Sequence, residues 1–127
     1  MKFYYSPGAC SLGIHFLLEE IGVAYEGVPI HIKNGDQLKD ANVAVNPKSK
    51  VPAVLRDDGS ILTEFGVIAH WLTRTCANDR FAPESFEKEL RIMETLDYIV
   101  ATMHMQGFSR VLRPQKFVRS ESDLDWV

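Results

Sequence analysis

The spacing of apolar and polar positions predicts an orderly succession of elements. Residues 2–5 are aromatic-rich and strand-like, and Ser6, Pro7 and Gly8 are turn residues. Residues 11–20 then carry Leu12, His15, Phe16, Leu17 and Leu18 at helical spacing. Ile21-Gly22 reads as a helix stop and residues 25–32 as a second strand, an order that implies a parallel pair. Pro29 has no N–H for a ladder, which places that strand at a sheet edge. Residues 34–44 are polar and mixed, a loop with a short helix. After a turn at Asn46-Pro47, an apolar strand is entered through Val51-Pro52. Asp57-Asp58-Gly59 separates it from another short apolar run, the strongest hairpin signal in the chain. Thr63 is the expected N-cap of the next helix, with Glu64 in its first turn and Val67, Ile68, Trp71 and Leu72 on one face.

This is a βαβαββα succession, an α/β (α+β) domain with a mixed four-stranded sheet over residues 1–76. The composition turns polar at 76–83, which suits a linker at 77–83. Residues 84–105 predict one long amphipathic helix with Phe86, Leu90, Met93, Leu96, Val100 and Met103 near one stripe, opening a helical region over 84–127. Gly107, Arg113-Pro114 and the charged stretch 120–125 break its pattern.

Composition narrows the partners. With 46% apolar and 24% charged residues, the 127-residue chain has the make-up of an ordinary globular protein. Its net charge of −3 comes from 17 acidic and 14 basic residues spread along the chain, so neither a nucleic acid nor a membrane is expected as partner. Two distant cysteines, Cys10 and Cys76, form no metal-ligand pattern and no disulfide framework. No apolar run approaches the roughly 20 residues that span a bilayer, and no secretion signal opens the chain, so a reducing cytoplasm is the default compartment.

Cys10 adds chemistry. It falls where the turn gives way to the first helix, and unpaired N–H groups and the helix dipole there favour a thiolate over a thiol. Against this stands the ordinary behaviour of free cysteine as a small, buried apolar residue.

The opening YYSPGACSL with Glu19-Glu20, the stretch NPKSKVPAV and the LTE at 62–64 together resemble the N-terminal domain of glutathione transferases. That domain has a thioredoxin-like fold, and the likeness is closest to the bacterial, cysteine-containing beta class. It covers about residues 1–80 and continues more weakly through the long helix into 104–109. The resemblance implies that Val51-Pro52 is a cis-proline turn whose Val51 backbone pairs with the cysteinyl backbone of glutathione like an added strand. It implies that Glu64 and the N–H of Phe65 receive the γ-glutamyl amine and carboxylate. Lys33 and Lys50 are its candidates for the glycyl carboxylate, although isolated lysines are usually solvated surface.

Three positions depart from the family. Phe65 stands where a small or hydroxylated residue is usual, so a side-chain hydrogen bond to the carboxylate is lost. Lys50 replaces a common Gln. Met105 occupies the place of the class's histidine near the end of the fourth helix, and His104, one residue earlier, is about 100° away around an α-helix. Family members also continue into a full helical domain that builds the pocket for the electrophile, whereas this chain stops in what resembles the first turn of the fifth helix. A fragment and a naturally short protein are both open.

The expected function is therefore glutathione transferase-like. Glutathione is the substrate and no metal is required. The peptide is either conjugated to a small electrophile or exchanged with a disulfide through Cys10. Gly13, in place of a second Cys, excludes a dithiol cycle. The alternative is a non-catalytic thioredoxin-fold module. A homodimer is expected, because the apolar stripe of the long helix needs a cover.

Overall fold

The computed structural model describes residues 1–126. The chain forms two compact units, Met1–Ala82 and Pro83–Val127. The first contains β1 (Lys2–Tyr5), α1 (Ser11–Ile21), β2 (Glu26–Pro29), two single 3-10 turns (Ile32–Asn34 and Asp36–Leu38), α2 (Asp40–Val45), β3 (Ala53–Leu55), β4 (Ile61–Thr63) and α3 (Phe65–Thr75). Its sheet has the order β2-β1-β3-β4. The β1–β2 pair is parallel and the other two pairs are antiparallel. The predicted βαβαββα succession with a mixed four-stranded sheet is the observed one.

Strand alternation divides the side chains between two faces. Phe3 and Val54 are register partners on one face, and with Ile14 and Leu18 of α1 and Ile68, Ala69 and Leu72 of α3 they form the core cluster. Tyr4 and Ala53, the next register pair, point the other way and share a hollow with Ile30 and with Asn42 and Val45 of α2. Gly22 ends α1 in the left-handed region (φ 76°), where its N–H donates to the Leu18 carbonyl at 2.9 Å.

Pro29 closes the edge strand as its chemistry requires. The strand is shorter than the expected 25–32, because the Asp36 carboxylate accepts from the His31 N–H at 3.0 Å and turns the chain away after Ile30. His15 sits among the rings of Phe3, Tyr5 and Tyr25 at 5.7, 5.1 and 5.8 Å. The Tyr25 hydroxyl donates to Glu19 at 2.5 Å, and burial together with that carboxylate pushes its pKa up to about 12. The β3–β4 hairpin turns at Gly59 (φ 82°), with the Arg56 N–H donating to the Ser60 carbonyl at 2.9 Å.

The connection from α2 to β3 is held by one buried amide. Asn46 donates through Nδ2 to the Lys50 carbonyl at 2.8 Å and accepts at Oδ1 from the Lys48 N–H at 3.1 Å, while its own carbonyl accepts from the Ser49 N–H at 2.9 Å. Asn46 is 7% exposed, so these bonds are made largely out of water, where leaving them unmade is expensive.

In the second unit, α4 (Phe86–Asp97) is capped by the Ser85 hydroxyl, which accepts from the Lys88 N–H at 3.3 Å. The helix continues as a π-helical stretch, Tyr98–Phe108, and then as α5 (Ser109–Leu112). The expected break at Gly107 is absent. The stop is Arg113-Pro114, where the proline disfavours helix in the residue before it. Two further 3-10 segments, Pro114–Lys116 and Glu121–Trp126, follow. No helix among the described residues is long and apolar enough to cross a membrane.

Asn46→Ala strands the Lys50 carbonyl and the Lys48 N–H, and is expected to lower the unfolding free energy by about 2 kcal/mol. A shift in the urea midpoint at constant slope measures this. A loss under roughly 0.5 kcal/mol would place Asn46 among ordinary surface positions.

Candidate functional site

The turn between β1 and α1 is built around Ser11. Its buried hydroxyl donates to the Ser6 carbonyl at 3.1 Å and accepts from the Ser6 N–H at 3.0 Å, closing residues 6–11 into a loop that delivers Cys10 to the start of α1. Cys10 is the N-cap residue (φ −55°, ψ −25°), as expected, and its thiol donates to the Val51 carbonyl at 3.5 Å. The expected lowering of its pKa does not occur in the free site. Burial pushes the Cys10 thiol up, against the smaller opposing effect of the Ser11 and Cys10 N–H groups. A carbonyl oxygen facing the sulfur also rewards the protonated form, since only S–H can donate to it.

Val51 is half-buried and Pro52 buried, and the bond between them is cis. Lys50 is exposed, with its carbonyl held by Asn46. Lys33 lies exposed in the first 3-10 turn and makes no hydrogen bond or ion pair with the other described residues.

Glu64 joins β4 to α3 in a single residue. The expected cap, Thr63, is instead the last residue of β4, and Glu64 is the N-cap, with no side-chain cap bond. Its backbone is in the left-handed half of the map (φ 71°, ψ 129°), a conformation that costs a residue with a side chain about 1–3 kcal/mol and tends to persist at functional sites. The Glu64 carboxylate reaches back to the loop, where Lys48 Nζ donates to its Oε1 at 2.7 Å and to Thr63 Oγ1 at 2.9 Å. The hydrogen bond from Lys48 holds the carboxyl below the usual range against the push from burial, with smaller help from the charges of Lys48 and Lys50.

Phe65 directs its ring at α1. A Cβ added at Gly13 would stand 2.8 Å from the ring, so the aromatic side chain at 65 and the missing side chain at 13 are complementary. His104, in the second unit, is half-buried in the π-helical stretch, and its carbonyl accepts from the Ser109 hydroxyl at 3.3 Å. A π turn closes on the fifth residue rather than the fourth, so α-helical counting back from Gly107 is out of phase in this segment.

Cys10 and Glu64 are thus both tied to loop 46–52, the first through Val51 and the second through Lys48. Sequence reasoning passed over Lys48, Asn46 and Ser11. Asn before Pro signals a turn, but which distant carboxylate the lysine beyond it would meet has no local signal. Among the described residues no group of three or more His, Cys, Asp or Glu side chains is arranged to hold a metal ion.

Residues 8–75 match the family described as glutathione S-transferase, N-terminal domain. The chain is 38% identical over 120 residues to the glutathione S-transferase GstA of Escherichia coli O157:H7, covering 90% of this chain and 57% of that protein. A sphingomonad glutathione S-transferase solved in complex with glutathione is 31% identical, with a TM-score of 0.72 over 83% of this chain and 53% of the other. The bacterial beta class enzyme of Sphingomonas chungbukensis is 29% identical, with a TM-score of 0.76 over 96% of this chain and 60% of the other. The chain therefore spans little more than half the length of these relatives. Its fold, its opening turn and its proline loop have a common explanation in the match over residues 8–75, and the chain belongs to the glutathione S-transferase N-terminal domain family.

Proposed function

We propose that the chain binds glutathione along loop 46–52 and serves as the glutathione-binding part of a cytoplasmic glutathione transferase. The observation that carries this reading is the Cys10 thiol at 3.5 Å from the Val51 carbonyl, on the same loop that holds Glu64 through Lys48. The Val51 backbone pairs with the cysteinyl residue of glutathione as an added strand would. Glu64 receives the γ-glutamyl ammonium, and the first N–H groups of α3, at Phe65, face the neighbouring carboxylate. Lys50 and Lys33 are the cations for the glycyl carboxylate, and His104 is a weaker candidate for the site. The glutathione complex of the sphingomonad relative supports the choice of ligand.

Conjugation is the chemistry that a protonated Cys10 suits. The glutathione thiol gives its proton to solvent, its sulfur forms a C–S bond with the electrophile, and the leaving group departs with its electron pair. A protonated Cys10, poised as a donor, stabilises the neighbouring thiolate. Exchange, in which Cys10 attacks a glutathione disulfide and releases one glutathione as thiolate, requires Cys10 itself to ionise first.

A second copy of the chain is the proposed partner. The helices of the second unit bury no residue, and Phe86, Leu90, Tyr98, Ile99 and Phe108 stand exposed. Covering each such side chain is worth about 1.5–3 kcal/mol, and a two-fold homodimer supplies the cover.

Calorimetry with reduced glutathione is expected to show saturable one-site binding, and its absence would refute the reading. Intact-mass analysis after exposure to glutathione disulfide distinguishes the chemistries, because a stable glutathione adduct on Cys10 at neutral pH would favour exchange.

The raised Cys10 pKa leaves less thiolate at any given pH. Iodoacetamide alkylation of Cys10 in the free protein is therefore expected to rise with a midpoint above the ordinary thiol value of about 8.5. A midpoint below that value would mean that the helix N-terminus outweighs burial. Light scattering at micromolar concentration is expected to return twice the mass of one chain, and a single-chain mass would exclude the dimer.

A further inference from the structure

Lys48 is given no contact with the ligand in the reading above, where it only holds Glu64, yet it joins the loop to the point where β4 becomes α3. Its Nζ donates to Glu64 Oε1 at 2.7 Å and to Thr63 Oγ1 at 2.9 Å. It is presented by a built turn, since its N–H is held by the buried Asn46 side chain at 3.1 Å and Ser49, next in the chain, is in the left-handed region (φ 54°). The two charged side chains are 54% and 61% exposed, and an ion pair so open to water contributes little to stability. It is too weak to serve as a latch that shuts the site. What it does provide is a cation and an anion side by side at the mouth of α3, whose first turn no side chain caps and whose position 65, a phenylalanine, offers no side-chain donor.

We propose that Lys48 is a specificity-determining residue that reads the α-carboxylate of a zwitterionic amino-acid head group. An ammonium and a carboxylate borne on one carbon enter between Lys48 and Glu64, the ammonium on Glu64 and the carboxylate on Lys48 Nζ. One exposed ion pair is exchanged for two, and the ligand's carboxylate gains the donor that Phe65 does not supply. A head group with the ammonium alone would take Glu64 from Lys48 and leave two cations face to face, and one with the carboxylate alone would meet the repulsion of Glu64. Both charges are needed together. The proposal rests on the glutathione reading of the groove and adds to it the residue that selects the α-carboxylate.

The test is calorimetric titration of the full chain with glutathione and with 4-aminobutyryl-cysteinyl-glycine, which lacks only the α-carboxylate. Wild type is expected to prefer glutathione by about tenfold, the equivalent of about 1.4 kcal/mol. Lys48→Met and Lys48→Gln are expected to bind the analogue more tightly than wild type does, because no second cation then faces its ammonium, and to lose the preference, while Lys48→Arg retains it. Lys48 is exposed, so all three variants should keep the wild-type circular dichroism and melting temperature, and two neutral variants keep the result independent of either one. A preference that survives in both neutral variants, or one absent from wild type, would overturn the role of Lys48 while the groove reading stands. No binding of glutathione by wild type would overturn both.

Discussion

The site depends on how the Asn46 amide is satisfied. A buried carboxamide that donates to Lys50 and accepts from Lys48 folds loop 46–52 back on itself before β3 begins. Two consequences follow at its two ends. Val51 turns its carbonyl toward Cys10, and Lys48 is set on a turn from which its ammonium reaches Glu64. An apolar residue at 46 would leave the loop's own N–H and carbonyl groups to find other partners, and neither contact would be positioned by the fold.

Two opposing influences act on Cys10, and their balance is set by depth. Position at the start of α1 supplies N–H groups that favour the thiolate, while removal from water and a facing carbonyl favour the thiol. In the free site burial wins.

The Phe65 ring shows how a family departure is absorbed. The aromatic side chain is accommodated because position 13 has no Cβ, which lets the ring close on α1 at a distance that any other residue would forbid. The side chain at 65 is thereby taken up in packing, so the proposed carboxylate-facing role falls to its backbone and to the Lys48 cation held beside Glu64.

Much of the fold was legible in the chain because local chemistry decides it. Pro29 lacks a donor and closes an edge strand, Gly22 takes the left-handed cap of α1, Asp57-Asp58-Gly59 turns the hairpin, and alternation sends Phe3 and Val54 to one face. The family motifs likewise marked Cys10, Val51-Pro52 and Glu64 as candidates, and the structure has Cys10 at the α1 N-cap and the Val51-Pro52 bond cis. Other features needed the tertiary structure, since they are set by what lies opposite in space. Whether Cys10 is thiol or thiolate depends on burial and on a carbonyl 41 positions away in sequence. The partner of Lys48 lies 16 positions on, across a hairpin. Thr63 has the chemistry of a cap, but the register of β4 holds it in the sheet and passes the cap position to Glu64. In the second unit, α-helical periodicity carried no warning of the π-helical stretch, because closing on the fifth residue changes the hydrogen-bond partner and not the residue types. Composition and spacing thus determined the elements and their order, while protonation, pairing and phase were decided by neighbours that only folding brings together.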